Sequence, residues 1–101
     1  MAGLQKNRQV RPPLGAAMFS EQEWEKIART LTLTKRELQI IRVVFDDRTE
    51  YAIAADLGMS QHTVHNHFDH LHRKLAVHTR AAMVLRVMHE FSTLKQAPVR
   101  A

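Results

Sequence analysis

Apolar positions recur along this chain at the three- and four-residue spacings of helices that bury one face. Trp24, Ile27, Ala28 and Leu31 form the first such stripe. Ser20-Glu21-Gln22-Glu23 precedes it as a capping box, a hydroxyl for a free N–H and a carboxylate three residues on. The pattern predicts a helix over 20–31, packed onto the rest of the fold by Trp24. Leu38, Ile41 and Phe45, helped by Ile40 and Val44, make a second stripe, and Thr34 with Glu37 repeats the capping box. Asp46-Asp47 ends that helix (34–46), because Asp competes for local backbone hydrogen bonds and tolerates left-handed geometry. Thr49 caps a short helix over 50–57 that turns Ile53, Ala54 and Leu57 inward; Val64, Phe68, Leu71 and Leu75 predict a fourth over 61–75. The fifth, 79–92, is apolar on two stripes, one of Ala81, Val84, Leu85 and Met88, the other of Met83, Val87 and Phe91. One stripe suffices for so small a core. The second exceeds what a monomer needs and predicts a dimer contact, assigned to Met83, Val87 and Phe91, with packing of this helix on the Trp24 helix as the alternative.

The junction between the third and fourth helices is the most informative stretch. Gly58 offers a left-handed turn, Met59 an apolar plug and Ser60 a good N-cap, and two helices joined by a three-residue turn containing Gly form a helix-turn-helix. The outer face of the following helix carries Gln61, His62, His65, Asn66, Asp69 and Arg73, all hydrogen-bonding groups. The fold expected is therefore all-α, a four- to five-helix bundle containing a helix-turn-helix. Arg11-Pro12-Pro13 and Gly15 break any periodicity before residue 20. The expected organisation is a flexible basic arm over 1–19, the domain over 20–94 and a tail over 95–101.

Composition narrows the function classes. A chain of 101 residues with 45% hydrophobic and 25% charged side chains is one small globular domain, able to build a compact core but not a deep catalytic cleft. The absence of cysteine excludes disulfides and thiolate metal sites. No apolar run approaches the ~20 residues of a membrane span, and no secretion signal opens the chain, so a cytoplasmic location without membrane partners is expected. The net charge of +5 is unevenly spread: residues 1–19 carry +3, residues 20–58 carry −2 and residues 59–101 carry +4. Basic ends around a mildly acidic middle suggest a polyanionic partner. With no Gly-rich phosphate loop and no nucleophile elbow, an enzyme is not expected.

Leu33-Thr34 with Arg36-Glu37, Ile53-Ala54 with Leu57, Ser60 with Thr63-Val64 and His67, and Lys74-Leu75 with Val77 and Arg80 together resemble the DNA-binding domain of LuxR-type response regulators, over about 33–90. The resemblance implies a four-helix bundle whose third helix enters the major groove and whose fourth mediates dimerisation, roles that fall on 61–75 and 79–92. It implies double-stranded DNA and a second copy of the chain as partners, RNA polymerase as a further contact, the bacterial nucleoid as the location, and no cofactor. The family usually joins this domain to a sensing module. The upstream segment is too short for one, so a stand-alone effector is expected. His65 stands where the family usually has Lys or Arg, Asp69 where basic or small polar residues are common, and Asp47 and Ala76 where Gly is frequent.

The chemistry of the reading helix follows from its side chains. Asn66 can pair bidentately with adenine, His65 can donate to guanine, and Asp69 can accept from cytosine N4. Gln61 and His62 sit at the positive end of the helix dipole, suited to phosphate. The resemblance makes Thr63 a phosphate contact, and Arg73, Lys74 and Arg80 are candidate anchors for the adjacent strand. Protonation of His62 and His65 between pH ~7.5 and ~6 should raise DNA affinity. His62, His65, Asp69 and His72 share a helical face at spacings that suit a metal, but that face is open to water and DNA needs it. Two other readings stay open: a sigma-factor region-4-like promoter-binding module, against which Lys74-Leu75, Val77 and Arg80 speak, and a protein-interaction module that sequesters a related regulator without binding DNA, which Asp69 and His65 favour.

Overall fold

A computed structural model describes residues 15–96, with the side chain of Gln96 excepted. It contains a single 3₁₀ turn, Ala16–Met18, followed by α1 (Glu21–Leu31), α2 (Lys35–Phe45), α3 (Glu50–Leu57), α4 (Gln61–Leu75) and α5 (Arg80–Gln96). The architecture is all-α, and no strand occurs among the described residues. Of the arm expected over 1–19 and the tail expected over 95–101, residues 1–14 and 97–101 lie outside the described residues.

Each helix starts where a short polar side chain can take up a free N–H. Ser20 and Thr34 form full capping boxes: each hydroxyl accepts from the N–H three residues on at 3.1 Å, and Glu23 and Glu37 accept in return from the capping N–H groups. Thr49, Ser60 and Thr79 accept from Ala52, Thr63 and Ala82 N–H in the same way. The helices end on left-handed residues, Thr32, Gly58 and Ala76. Asp47, just past α2, is left-handed too. At Ala76 (φ 57°, ψ 46°) the turn keeps the geometry that Gly usually supplies, with the Ala76 and Val77 N–H groups donating to the Arg73 and His72 carbonyls. A Cβ there costs roughly 1 kcal/mol. Ala76→Gly should therefore stabilise the domain by about 1 kcal/mol, and thermal unfolding should move up by roughly 5 °C; an unchanged or lower midpoint would contradict the strain.

One core runs through all five helices: Trp24, Ile27 and Leu31 of α1, Ile40, Ile41, Val44 and Phe45 of α2, Ile53 and Ala54 of α3, Val64, Phe68, Leu71 and Leu75 of α4, and Met83 and Val87 of α5. α3 packs chiefly on α4, while α1 and α2 both pack on α5. Two expectations need correction. Order begins before Ser20: Phe19 is buried, its ring 4.9 Å from Trp24 and 4.4 Å from Phe91. Gly15 and Ala16 N–H both donate to Asp46 Oδ1, at 3.1 and 2.8 Å. Gly15 is there for closeness, since a Cβ would stand 2.1 Å from the Phe45 carbonyl oxygen.

The second correction concerns α5. Met83 and Val87, assigned to the dimer contact, are fully buried in the monomer core, and Phe91 is half-buried against Phe19. The stripe left outside is the other one, with Leu85 68% exposed, Ala81 exposed, and Val84 and Met88 half-buried. α5 also runs past the predicted end at Ser92, to Gln96, with Leu94 half-buried in the added turn.

Candidate nucleic-acid interface

The turn between α3 and α4 is built by three residues. Gly58 is left-handed (φ 67°, ψ 37°) and its N–H and that of Met59 both donate to Ala54 O. Met59 is half-buried on the core. Ser60 caps α4, donating its hydroxyl to Thr63 Oγ1 at 2.9 Å while accepting from Thr63 N–H at 3.0 Å, so the Thr63 hydroxyl is free to donate outward. Because Val64, Phe68, Leu71 and Leu75 are held inward, Gln61, His62, Thr63, His65, Asn66, Asp69 and Arg73 all stand exposed on the outside of one helix. No acid occupies the first turn of α4, whose N–H groups carry partial positive charge, and His72, Arg73 and Lys74 complement the opposite end.

Two of the expected contacts are turned inward. Lys74, its side chain 25% exposed, donates to Thr32 O and to Glu37 Oε1 at 2.8 Å, tying α4 to α2 and to the end of α1. Arg80 lies over the Phe68 ring at 5.1 Å and donates to the Arg48 carbonyl, joining the start of α5 to the loop before α3. Both side chains hold α4 in place rather than standing free on its outer face. His72 also leaves that face: it is half-buried, and its Nε2 is buried without a partner.

Glu37 is the hub beneath α4. Its side chain is only 6% exposed, and it accepts from Thr34 N–H at 2.9 Å and from Lys74, with His70 Nε2 3.1 Å from its other oxygen. Burial pushes its carboxyl up, but the hydrogen bonds from Lys74 and Thr34 and the nearby charges of Lys74 and His70 outweigh it. The carboxyl is therefore held below the usual glutamate range.

The structure adds one residue to the outer face. Glu50, the first residue of α3, brings Oε1 to 3.8 Å from His65 Nδ1, while Asp69 Oδ2 stands 3.6 Å from His65 Nε2. Nothing in the spacing along the chain marks Glu50, because its proximity to His65 depends on how the turn folds α3 against α4. Beside Arg73, at the other end of α4, an open concavity of about 490 Å³ is lined by Asp69, His72, Ala76, Val77 and His78.

Comparison with known proteins places this region. The profile of bacterial regulatory proteins, luxR family, matches residues 31–87, from the last residue of α1 into α5. The spore germination protein GerE of Bacillus subtilis (strain 168) is 36% identical over 56 residues, 55% of this chain and 76% of that protein. No solved structure matches.

Proposed function

The chain belongs to the luxR family of bacterial regulatory proteins, and from that premise we propose that it reads the major groove with α4 and binds a two-fold DNA site as a homodimer. It is a DNA-binding transcription regulator carrying a LuxR-type helix-turn-helix. The observation that carries the finer reading is the unobstructed outer face of α4, where seven polar side chains, Gln61, His62, Thr63, His65, Asn66, Asp69 and Arg73, stand exposed behind the Gly58 turn. In this reading Asn66 and His65 meet base edges, Gln61, His62 and Thr63 take phosphate at the helix N-terminus, and Arg73 holds the adjacent strand. Asp69 is a candidate acceptor for cytosine N4. The outer stripe of α5, with Leu85 and Ala81 exposed and Val84 and Met88 half-buried beside them, supports the dimer, since it offers an apolar surface to a second copy. RNA polymerase is a further partner in this proposal, and the bacterial nucleoid the location.

Selection of bound duplexes from a random library at moderate salt tests the proposal. A two-fold motif with half-sites about one helical turn apart is expected. An asymmetric half-site favours the sigma-like module, and no enrichment at any salt favours a protein-interaction role. Leu85→Glu should reduce the two-fold motif to a half-site. Arg73→Ala should weaken binding to all sequences and lower the salt slope by roughly one unit. Asn66→Ala should instead relax preference at one base pair, by about 1–3 kcal/mol of discrimination. Equal losses on selected and random DNA from both substitutions would contradict this division of labour.

A further inference from the structure

Between α1 and α5 lies an open groove of about 420 Å³, lined by Glu23 and Lys26 of α1 and by Phe91, Leu94 and Lys95 of α5. Its floor is apolar: Phe91 and Leu94 are both half-buried, and the Phe91 ring centroid lies 4.4 Å from that of Phe19. Each wall adds an exposed ammonium, Lys26 from α1 and Lys95 from α5. Lys95 Nζ stands over the Phe91 ring, 5.6 Å from its centroid, where the negative face of the ring holds it beside the floor. Neither lysine pairs with a carboxylate among the described residues. The acid of the groove is already engaged, since Glu23 Oε1 accepts from Ser20 N–H at 2.8 Å to close the capping box of α1. The groove therefore offers apolar area flanked by two unanswered positive charges.

We infer that this groove is a docking site for an acidic segment of another protein. One large apolar side chain of that segment lies on Phe91 and Leu94, and carboxylates to either side of it meet Lys26 and Lys95. Charge complementarity selects this occupant: the apolar floor supplies affinity for the anchor, and the two ammoniums decide which anchored segments are accepted. A second copy of the chain does not suit the groove, because pairing groove on groove sets four ammoniums against one another. DNA does not suit it either, since a phosphate backbone leaves the apolar floor without a partner, and no lining residue comes from α3 or α4. A surface this small fits a transient contact rather than a permanent one. The inference goes beyond the DNA-binding function proposed above and does not depend on it.

The experiment titrates the full chain into a short fluorescein-labelled peptide, rich in Glu and carrying a pair of leucines, and follows anisotropy. The peptide should bind saturably at low salt and more weakly as salt rises. Replacing its leucines by Ser should cost about tenfold, the size expected for one buried apolar side chain. Lys26→Ala and Lys95→Ala should each weaken binding about twofold to fivefold, as exposed ion pairs do. Lys26→Glu/Lys95→Glu should weaken it by more than about tenfold. Circular dichroism should show every variant folded, since both lysines are exposed. Absence of saturable binding overturns the inference, as does an affinity that the double Glu variant leaves unchanged. Equal binding of the leucine-free peptide overturns it too, because charge alone then accounts for the attraction. Two further readouts separate other occupants, using Lys26→Ala/Lys95→Ala. A dimer that becomes a monomer in size-exclusion chromatography makes the groove a self-interface, and a salt slope of duplex retention lowered by roughly two units makes it a DNA surface. Either result overturns the assignment, which expects both to match the parent. The peptide readout decides the inference whether or not α4 binds DNA.

Discussion

Trp24→Ala should lower the unfolding midpoint of this domain, followed by circular dichroism, by roughly 20 °C, a loss of about 4 kcal/mol. Trp24 is fully buried, packs edge-on against Phe45 with ring centroids 5.1 Å apart, touches Phe19 in the same manner, and donates from Nε1 to the Ala16 carbonyl at 2.8 Å. Truncation opens a cavity among rings that cannot collapse into it, because Gly15 and Ala16 are pinned to Asp46. Total stability of a domain this size is of the order of 5–15 kcal/mol, so such a loss removes a large share of it. Trp24→Phe keeps most of the ring packing but leaves the Ala16 carbonyl without its donor, and should cost about 1–2 kcal/mol. A Trp24→Ala protein that unfolds within a few degrees of the parent would show that α1 is an appendage rather than part of the core.

Glu37→Gln is the second large effect, about 2 kcal/mol at pH 7 by urea unfolding. Gln can still close the capping box with Thr34, so the substitution removes charge while leaving the helix start in place. The oxygen that accepts from Thr34 N–H also accepts from Lys74, so Gln keeps that acceptor but removes the negative charge facing the Lys74 ammonium, and its NH2 replaces the oxygen that faces His70. Removing one partner of a buried pair costs about 3–5 kcal/mol, and the residual exposure of Lys74 reduces that figure here. The pH dependence has a definite sign. The folded-state carboxyl of Glu37 is depressed, so its stabilising contribution is complete above the unfolded value near ~4.3 and is lost as pH falls through the lower folded value. Parent stability should therefore drop below about pH 4 more steeply than that of Glu37→Gln, and the two should converge. Parallel acid profiles would show that the Glu37–Lys74 pair contributes nothing.

What the amino-acid sequence determined by itself was local. The capping boxes at Ser20 and Thr34, the caps at Thr49 and Ser60, the left-handed Gly58 and the inward stripes of α1 to α4 all depend on residues within four positions of one another. At that range backbone hydrogen-bonding needs and helical periodicity leave few choices. The helix-turn-helix followed from those same short spacings, while the family came from a resemblance carried by residues from Leu33 to Arg80. Departures from the family pattern were legible as well. Ala76 holds the left-handed turn that Gly would hold, and His65 replaces a fixed cation with a titratable ring.

Tertiary structure decided whatever depends on distant partners. Both stripes of α5 are apolar, and periodicity cannot rank them; the arrival of α1 and α2 on one side buries Met83 and Val87 and leaves Leu85 outside. Lys74 and Arg80 carry the charge expected of DNA contacts. Their partners, Glu37 and the Arg48 carbonyl, lie 37 and 32 residues away in the chain, and both draw the side chains inward. Gly15 reads as a flexible residue until the end of α2 is packed against it. Glu50 comes beside His65 on the outer face of α4 only because the turn at Gly58 folds α3 back on α4. Local pattern specifies which backbone segments are helices. Which charges remain free on the surface is set by the packing of those helices, because an ion pair forms only when two segments far apart in sequence meet.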